Sequence, residues 1–175
     1  MALVFIDLDG FKAINDSHSH QAGDHVLQVV AHRIGMVVRS HDTVVRWGGD
    51  EFLVLLEVLE DETAGLAVVN RISTELAKPI WYLGQQVGVT ASVGGAFWRT
   101  GDEADVAELV RRADATMYSV KRNGRNAFAV FDAANEPITA STGVVVQAFP
   151  LLAQVAACDG CRRCGIPEPA RRLVG

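Results

Sequence analysis

Thr43-Val44-Val45-Arg46-Trp47-Gly48-Gly49-Asp50-Glu51-Phe52-Leu53-Val54-Leu55-Leu56 sets two adjacent carboxylates between two apolar runs. The β-branched residues Thr43, Val44 and Val45 lead in and Phe52 to Leu56 lead out, so the stretch reads as two strands reversing at Gly48-Gly49. A hairpin tip does not need that much charge. Glycine there permits positive φ and lets a ligand approach the backbone, while carboxylates offer hard oxygens to a divalent metal. Solvated acids on an ordinary Gly-Gly turn fit this stretch, taken alone, equally well.

A second stretch, Ala2-Leu3-Val4-Phe5-Ile6-Asp7-Leu8-Asp9-Gly10-Phe11-Lys12-Ala13-Ile14-Asn15-Asp16, adds weight to the metal. Its run from Ala2 to Ile6 is wholly apolar, the pattern of a strand buried on both faces, and its end is abruptly acidic. Ligands gather at strand ends in such sheets, so Asp7 is expected to meet Asp50 across neighbouring strands. Two carboxylates in a partly buried cleft repel unless a cation lies between them. Taken singly, Asp7 or Asp9 would serve as well to cap the helical turn that follows.

The remaining elements define the fold class. A helix carries Val26, Val30, Ile34 and Val37 on one face, and a second over about 62–77 stops before Lys78-Pro79. Strands are expected near 80–83 and 86–97. A helix near 104–121, with Val106, Leu109, Val110, Ala113 and Met117 as its core stripe, leads to a last strand at Ala127-Phe128-Ala129-Val130-Phe131. The expectation is an α/β (α+β) domain: a palm-like mixed central sheet flanked by helices on both faces. There is no internal repeat.

Four motifs in order carry a family resemblance: DLDGFKAIND (Asp7–Asp16), HQAGD (His20–Asp24), GGDEF (Gly48–Phe52) and RADATMYSVKRNGRN (Arg112–Asn126). Over roughly residues 3–132 the chain resembles the GGDEF family, the bacterial diguanylate cyclase domains, whose fold is nucleotide-cyclase-like. The resemblance implies condensation of two GTP molecules into cyclic di-GMP with release of two pyrophosphates, at a homodimer interface. It also implies Mg²⁺ (or Mn²⁺), held by the carboxylates of Asp7 and Asp50 and the backbone carbonyl of Leu8. Glu51 is implied as a further metal contact or as the base that takes the hydroxyl proton, two roles that only geometry separates.

Asn15 and Asp24 match the family's guanine readers, and Phe11 and Gly49 fall at substrate-binding positions. Guanine's N1 and N2 hydrogens suit a carboxylate, and an amide supplies donor and acceptor to the remaining edge. Taken singly, Asn15 reads as a helix cap and Asp24 as a first-turn acid. Lys12, Lys121 and Arg125 match positions that hold the triphosphate, with Lys12 also placed at the chemistry. Cations near a helix C-terminus are otherwise merely favourable to its dipole. Arg39-Ser40-His41-Asp42 is an RxxD in the register of the family's product-binding inhibitory site, with Arg71 as a secondary contributor; elsewhere RxxD is a surface ion pair.

Composition agrees. The chain has 175 residues, 49% hydrophobic, enough for one domain with a substantial core. A formal net charge of −5 without a basic stripe argues against nucleic-acid binding. No run approaches the about 20 apolar residues of a membrane span. The apolar start has no basic region and runs straight into Asp7, unlike a signal peptide, so a cytoplasmic location is expected.

Two departures qualify the resemblance. Family members carry a helix and a DxLTGLxNR-type segment before the first motif strand, so residues 1–132 are expected to be an N-terminally truncated GGDEF domain with one sheet face under-covered. Residues 133–175 resemble no family element and are expected to be a poorly ordered tail. Its Cys158, Cys161 and Cys164 form a CxxCxxC that lacks a fourth ligand, which in a cytosolic setting favours reduced, incidental thiols. The competing functional expectation is a binding module, a truncated or inactive domain that holds GTP or cyclic di-GMP without turnover.

Overall fold

The computed structural model describes residues 1–131, and the expectations for 133–175, with Cys158, Cys161 and Cys164, lie outside the described residues. The apolar start becomes β1 (Ala2–Asp9), buried along Ala2 to Leu8. It lies at the centre of a sheet ordered β2-β3-β1-β6-β7, in which β6 and β7 are parallel and every other pair antiparallel. The flanking strands are β2 (Thr43–Arg46), β3 (Glu51–Leu56), β6 (Thr90–Phe97) and β7 (Ala127–Phe131).

Alternation along β1 assigns the two faces. Ala2, Val4, Ile6 and Leu8 join a core built with α1 (Phe11–Ser17), α2 (His20–Val37) and α3 (Glu62–Leu76). Leu3 and Phe5 face the other way, onto Leu109, Ala113 and Met117 of α4 (Val106–Arg122). Helices therefore lie on both faces, α1 to α3 on one and α4 on the other, the flanked sheet that the sequence predicts. The three longer helices begin at side-chain caps: Ser19, Asp61 and Asp105 accept from the amides of Ala22, Ala64 and Glu108.

Two elements differ from expectation. The strand expected over 86–97 is divided: its start, β5 (Gln85–Val87), pairs with β4 (Ile80–Tyr82), the strand expected near 80–83, in a separate two-stranded hairpin, and only β6 enters the main sheet. Gly88 stands at the break, where a residue without a side chain weakens a strand interior. In α4 the core stripe begins at Leu109; Val106, the first residue after the Asp105 cap, is 74% exposed.

The face under α4 explains how that helix comes so close. Thr90, Ser92, Gly94 and Ala96 lie opposite Asp9, Asp7, Phe5 and Leu3, a row of small residues on the α4 side. A Cβ on Gly94 would fall 2.2 Å from the Met117 amide nitrogen and 2.3 Å from the Ala113 carbonyl oxygen. Backbone cannot yield as a side-chain tip can. Gly94→Ala is expected to destabilise the domain by about 1–3 kcal/mol in urea unfolding, because α4 must lift off the sheet. Farther along this face Trp47 packs edge-on against Phe5, with ring centroids 6.4 Å apart, and Val45 is 41% exposed.

Candidate active site

The sheet register brings the acids together. Asp7 lies directly opposite Glu51 on β3, so both side chains leave the sheet on the α4 face. Asp50 is one residue earlier, at the end of the turn, and its carbonyl accepts from the Leu8 amide at 3.2 Å. The cross-strand partner of Asp7 is thus Glu51, with Asp50 beside the pair. Lys121 reaches over from the last turn of α4 to place Nζ 2.6 Å from Asp7 Oδ2.

Burial and charge pull against each other here. Burial holds the Asp7 carboxyl above its ordinary range, the Lys121 ammonium opposes that rise, and neighbouring Asp50 and Asp9 reinforce it. Glu51 is raised by burial and then by the charges of Asp7 and Asp50. Concentrated negative charge of this kind, compensated by one ammonium, marks a place where a further cation is favoured.

The turn that carries Asp50 is held by backbone and by one side chain. Trp47 and Gly48 both donate to the Glu51 carbonyl, at 2.9 and 3.4 Å. The Arg46 guanidinium donates through Nε to the carbonyls of Gly48 and Gly49, both at 3.2 Å, and through a terminal nitrogen to Gly49 at 2.7 Å. Neither Gly48 nor Gly49 uses the positive φ that glycine permits. Their value is steric. A Cβ on Gly48 would meet Glu51 Oε2 at 2.8 Å, and the space beside Gly49 is open.

Asn15 and Asp24 stand on the helices of the opposite face. Asn15 sits in the body of α1 and Asp24 is exposed in the second turn of α2, so neither is the cap or first-turn acid that each could be when read singly. Asn15 occupies the space that Gly23 leaves: a Cβ there would lie 2.0 Å from Asn15 Oδ1. Phe11, the first residue of α1, is buried, and Lys12 beside it is exposed. Beside Asp24 a cavity of about 370 Å³ opens between α2 and the hairpin, lined by Leu27, Gln28, Val44, Arg46 and Phe52. Around one end of β1, Asp7 and Glu51 therefore lie on the α4 side and Asn15 and Asp24 on the α1–α2 side.

The model of the family described as "Diguanylate cyclase, GGDEF domain" matches residues 1–127. The chain belongs to the GGDEF family. Diguanylate cyclase A of Treponema denticola is 40% identical over 127 residues, 72% of this chain and 34% of that protein. The bifunctional diguanylate cyclase/cyclic di-GMP phosphodiesterase MucR of Pseudomonas aeruginosa is 40% identical over 131 residues, 75% of this chain and 19% of that protein. The chain thus spans 34% or less of the length of these curated relatives. Among solved structures, the GGDEF domain of YfiN (TpbB) from P. aeruginosa superposes with a TM-score of 0.70 at 37% identity, covering 75% of this chain and 81% of that one. The GGDEF domain of DgcB from Caulobacter crescentus, in complex with c-di-GMP, gives 0.67 at 30% identity, covering 74% and 76%.

In this GGDEF domain the residues expected to form an inhibitory site lie at the opposite end of the β2–β3 hairpin from Asp50. Arg39 is exposed after α2. The Asp42 side chain is only 5% exposed, and its oxygens accept from the backbone amides of Arg39 at 2.8 Å and Glu57 at 3.2 Å. Asp42 therefore shapes the turn that presents Arg39. Arg71, from α3, donates to the Val37 carbonyl at the end of α2, close in sequence to Arg39.

Sequence reasoning missed two groups. Arg46, the clamp of the GGDEF turn, was readable only as a cation beside glycines. Asp9 does not cap α1, whose N-cap position is Gly10; it accepts instead from Thr90 and Ser92 on β6. Those partners lie 81 and 83 residues away, beyond any local signal.

Among the described residues no group of three or more His, Cys, Asp or Glu side chains closes on a single point as a ready-made metal cage. The donor set still fits magnesium. That ion takes one or two carboxylates and completes its shell with water and substrate phosphates rather than with protein alone. Asp7, whose carboxylate has a lysine ammonium as its stand-in cation, supplies such a donor together with Glu51 and Asp50. No described helix is long and apolar enough to cross a membrane.

Proposed function

We propose that this GGDEF domain is the catalytic unit of a diguanylate cyclase, joining two GTP molecules into cyclic di-GMP with release of two pyrophosphates. The observation that carries the reading is the opposed pair Asp7 and Glu51 beside Asp50, compensated by Lys121 at 2.6 Å from Asp7. Asp7, Asp50, Glu51 and the Leu8 carbonyl would hold Mg²⁺ (or Mn²⁺), which when bound neutralises triphosphate charge and steadies the leaving pyrophosphate.

The chain's own groups divide the remaining work. Asp24 and Asn15 read the guanine edge, with Phe11 beneath and Gly49 leaving room for the nucleotide backbone. Lys12, Lys121 and Arg125 meet the phosphates. The 3′-hydroxyl of one GTP attacks the α-phosphorus of the other; the new O3′–P bond forms as the bond to the β-phosphate oxygen breaks. Glu51, on the same face as Asp7, accepts the hydroxyl proton. The reaction must occur twice to close the ring, so two copies face each other with one GTP each. GTP as substrate is consistent with a cytoplasmic site of action.

Supplying the purified chain with GTP and Mg²⁺ and separating the nucleotides tests this directly: cyclic di-GMP and pyrophosphate appear, or the reading fails. Arg39, presented by the Asp42-shaped turn with Arg71 nearby, is proposed to bind the product and restrain turnover. Arg39→Ala is expected to weaken cyclic di-GMP binding by about 10- to 100-fold in calorimetry, the loss of one charge-assisted, bidentate contact, and to raise activity in the presence of product. An unchanged product affinity would remove Arg39 from that role.

A further inference from the structure

We propose that Asp9 is a positioning residue that locks the phosphate-facing turn after α4, and is not a ligand of the metal. The inference rests on the reading of Lys121 and Arg125 as phosphate contacts. Asp9 is the second acid of the DLD run, two residues beyond Asp7 on the same face of β1. Its surroundings are different. Oδ2 accepts from Thr90 Oγ1 at 2.8 Å and from the Asn126 amide at 3.1 Å, Oδ1 accepts from Ser92 Oγ at 2.8 Å, and Arg125 Nε lies 3.9 Å from Oδ1. The side chain is 6% exposed. A carboxylate has about four acceptor positions, so the three hydrogen bonds fill most of them, and the guanidinium charge 3.9 Å away further disfavours a cation there. Asp7, by contrast, has Lys121 as its ion-pair partner.

What Asp9 holds is an uncommon piece of backbone. Gly124, Arg125 and Asn126 follow one another with φ of 114°, 62° and 46°. Residues other than glycine rarely enter this region, and such geometry persists only where surrounding contacts over-determine it. Two hydrogen bonds do so: the Arg125 amide donates to the Val120 carbonyl at 3.1 Å, and the Asn126 amide to Asp9. The turn thereby leaves Arg125 61% exposed at the end of α4, four residues past Lys121, with its Nε edge toward Asp9. Asp9 thus ties three things to one carboxylate: the end of the acid-bearing strand, the start of β6, and the turn that carries Arg125. Its loss frees the turn and costs the site its grip on the outer phosphates, while the guanine contacts on α1 and α2 are untouched.

The experiment uses Asp9→Asn in the full chain, with GDP and GMP as ligands in calorimetry and Mn²⁺ alone as metal probe. GDP affinity is expected to fall about tenfold, equivalent to ~1.4 kcal/mol, while GMP affinity and the Mn²⁺ titration stay within twofold of the parent. If Asp9→Asn does not fold, Thr90→Val, which removes one donor to Asp9, is expected to give a two- to threefold loss for GDP alone. Equal losses for GDP and GMP, or no loss for either, overturn the positioning role. A weakened Mn²⁺ titration overturns it in favour of metal ligation. A parent protein that binds GDP no better than GMP refutes the underlying phosphate reading instead, so the two failures are distinguishable.

Discussion

Glu51→Gln is expected to lower cyclic di-GMP formation by at least about 10²–10⁴-fold, the range lost when a positioned proton acceptor is removed, and to make the metal-free domain more stable. The two effects have one cause. Glu51 is half-buried opposite Asp7 and beside Asp50, and burial followed by those charges raises its affinity for protons above that of the unfolded chain. The folded state therefore binds more protons than the unfolded state between the two pKa values. A raised carboxyl contributes stability that is fully present below the unfolded pKa and is lost as pH rises through the folded one. At neutral pH and without Mg²⁺ the parent bears that loss; the amide, of nearly the same shape, does not. Thermal unfolding in a chelator should show a higher Tm for Glu51→Gln at pH 7, with the advantage shrinking toward pH 4. A variant that kept its activity, or a Tm difference that ignored pH, would contradict this account.

Lys121→Ala is expected to weaken GTP binding by about 10- to 100-fold, the range for one charge-assisted hydrogen bond, and to destabilise the metal-free domain by about 1–3 kcal/mol at pH 7. Lys121 has two tasks in this reading. It neutralises Asp7 at 2.6 Å before substrate arrives, then meets the phosphates once metal supplies the charge at Asp7. Removing it leaves a nearly buried carboxyl with Asp50 and Asp9 close by, both of which push its proton affinity up. Asp7 then takes a proton more readily, so the destabilisation should fade as pH falls. Urea unfolding at pH 7 and pH 5 measures this; equal losses at both would show that the ion pair contributes nothing. Partial exposure of the lysine keeps the expected figure below that of a fully buried pair.

The parts of this molecule that were legible from sequence are those whose cause is local. The apolar run to Ile6 and the hairpin around Gly48-Gly49 each follow from neighbours within a few residues. The acid cluster was legible too, because strand ends and turn lie in one register, although Glu51 rather than Asp50 stands opposite Asp7. What escaped depends on distant contacts. Gly94 is required by the α4 backbone, Gly23 by Asn15, and Asp9 by hydroxyls across the sheet. Val106 was misassigned because an apolar residue at helical spacing looks the same whether or not a sheet lies beneath it. The division of the 86–97 stretch did leave a trace at Gly88, which separates β5 from β6.

The central claim is that Asp7, Asp50 and Glu51 form half of a catalytic centre completed by a second copy of the domain. Its most direct test is the initial rate of cyclic di-GMP formation from saturating GTP and Mg²⁺ over a hundredfold range of protein concentration. The account predicts that specific activity rises with protein concentration until the domain is dimeric, and vanishes in Glu51→Gln across the range. Bound GTP with no product at any concentration would contradict it and leave a nucleotide-binding module in its place.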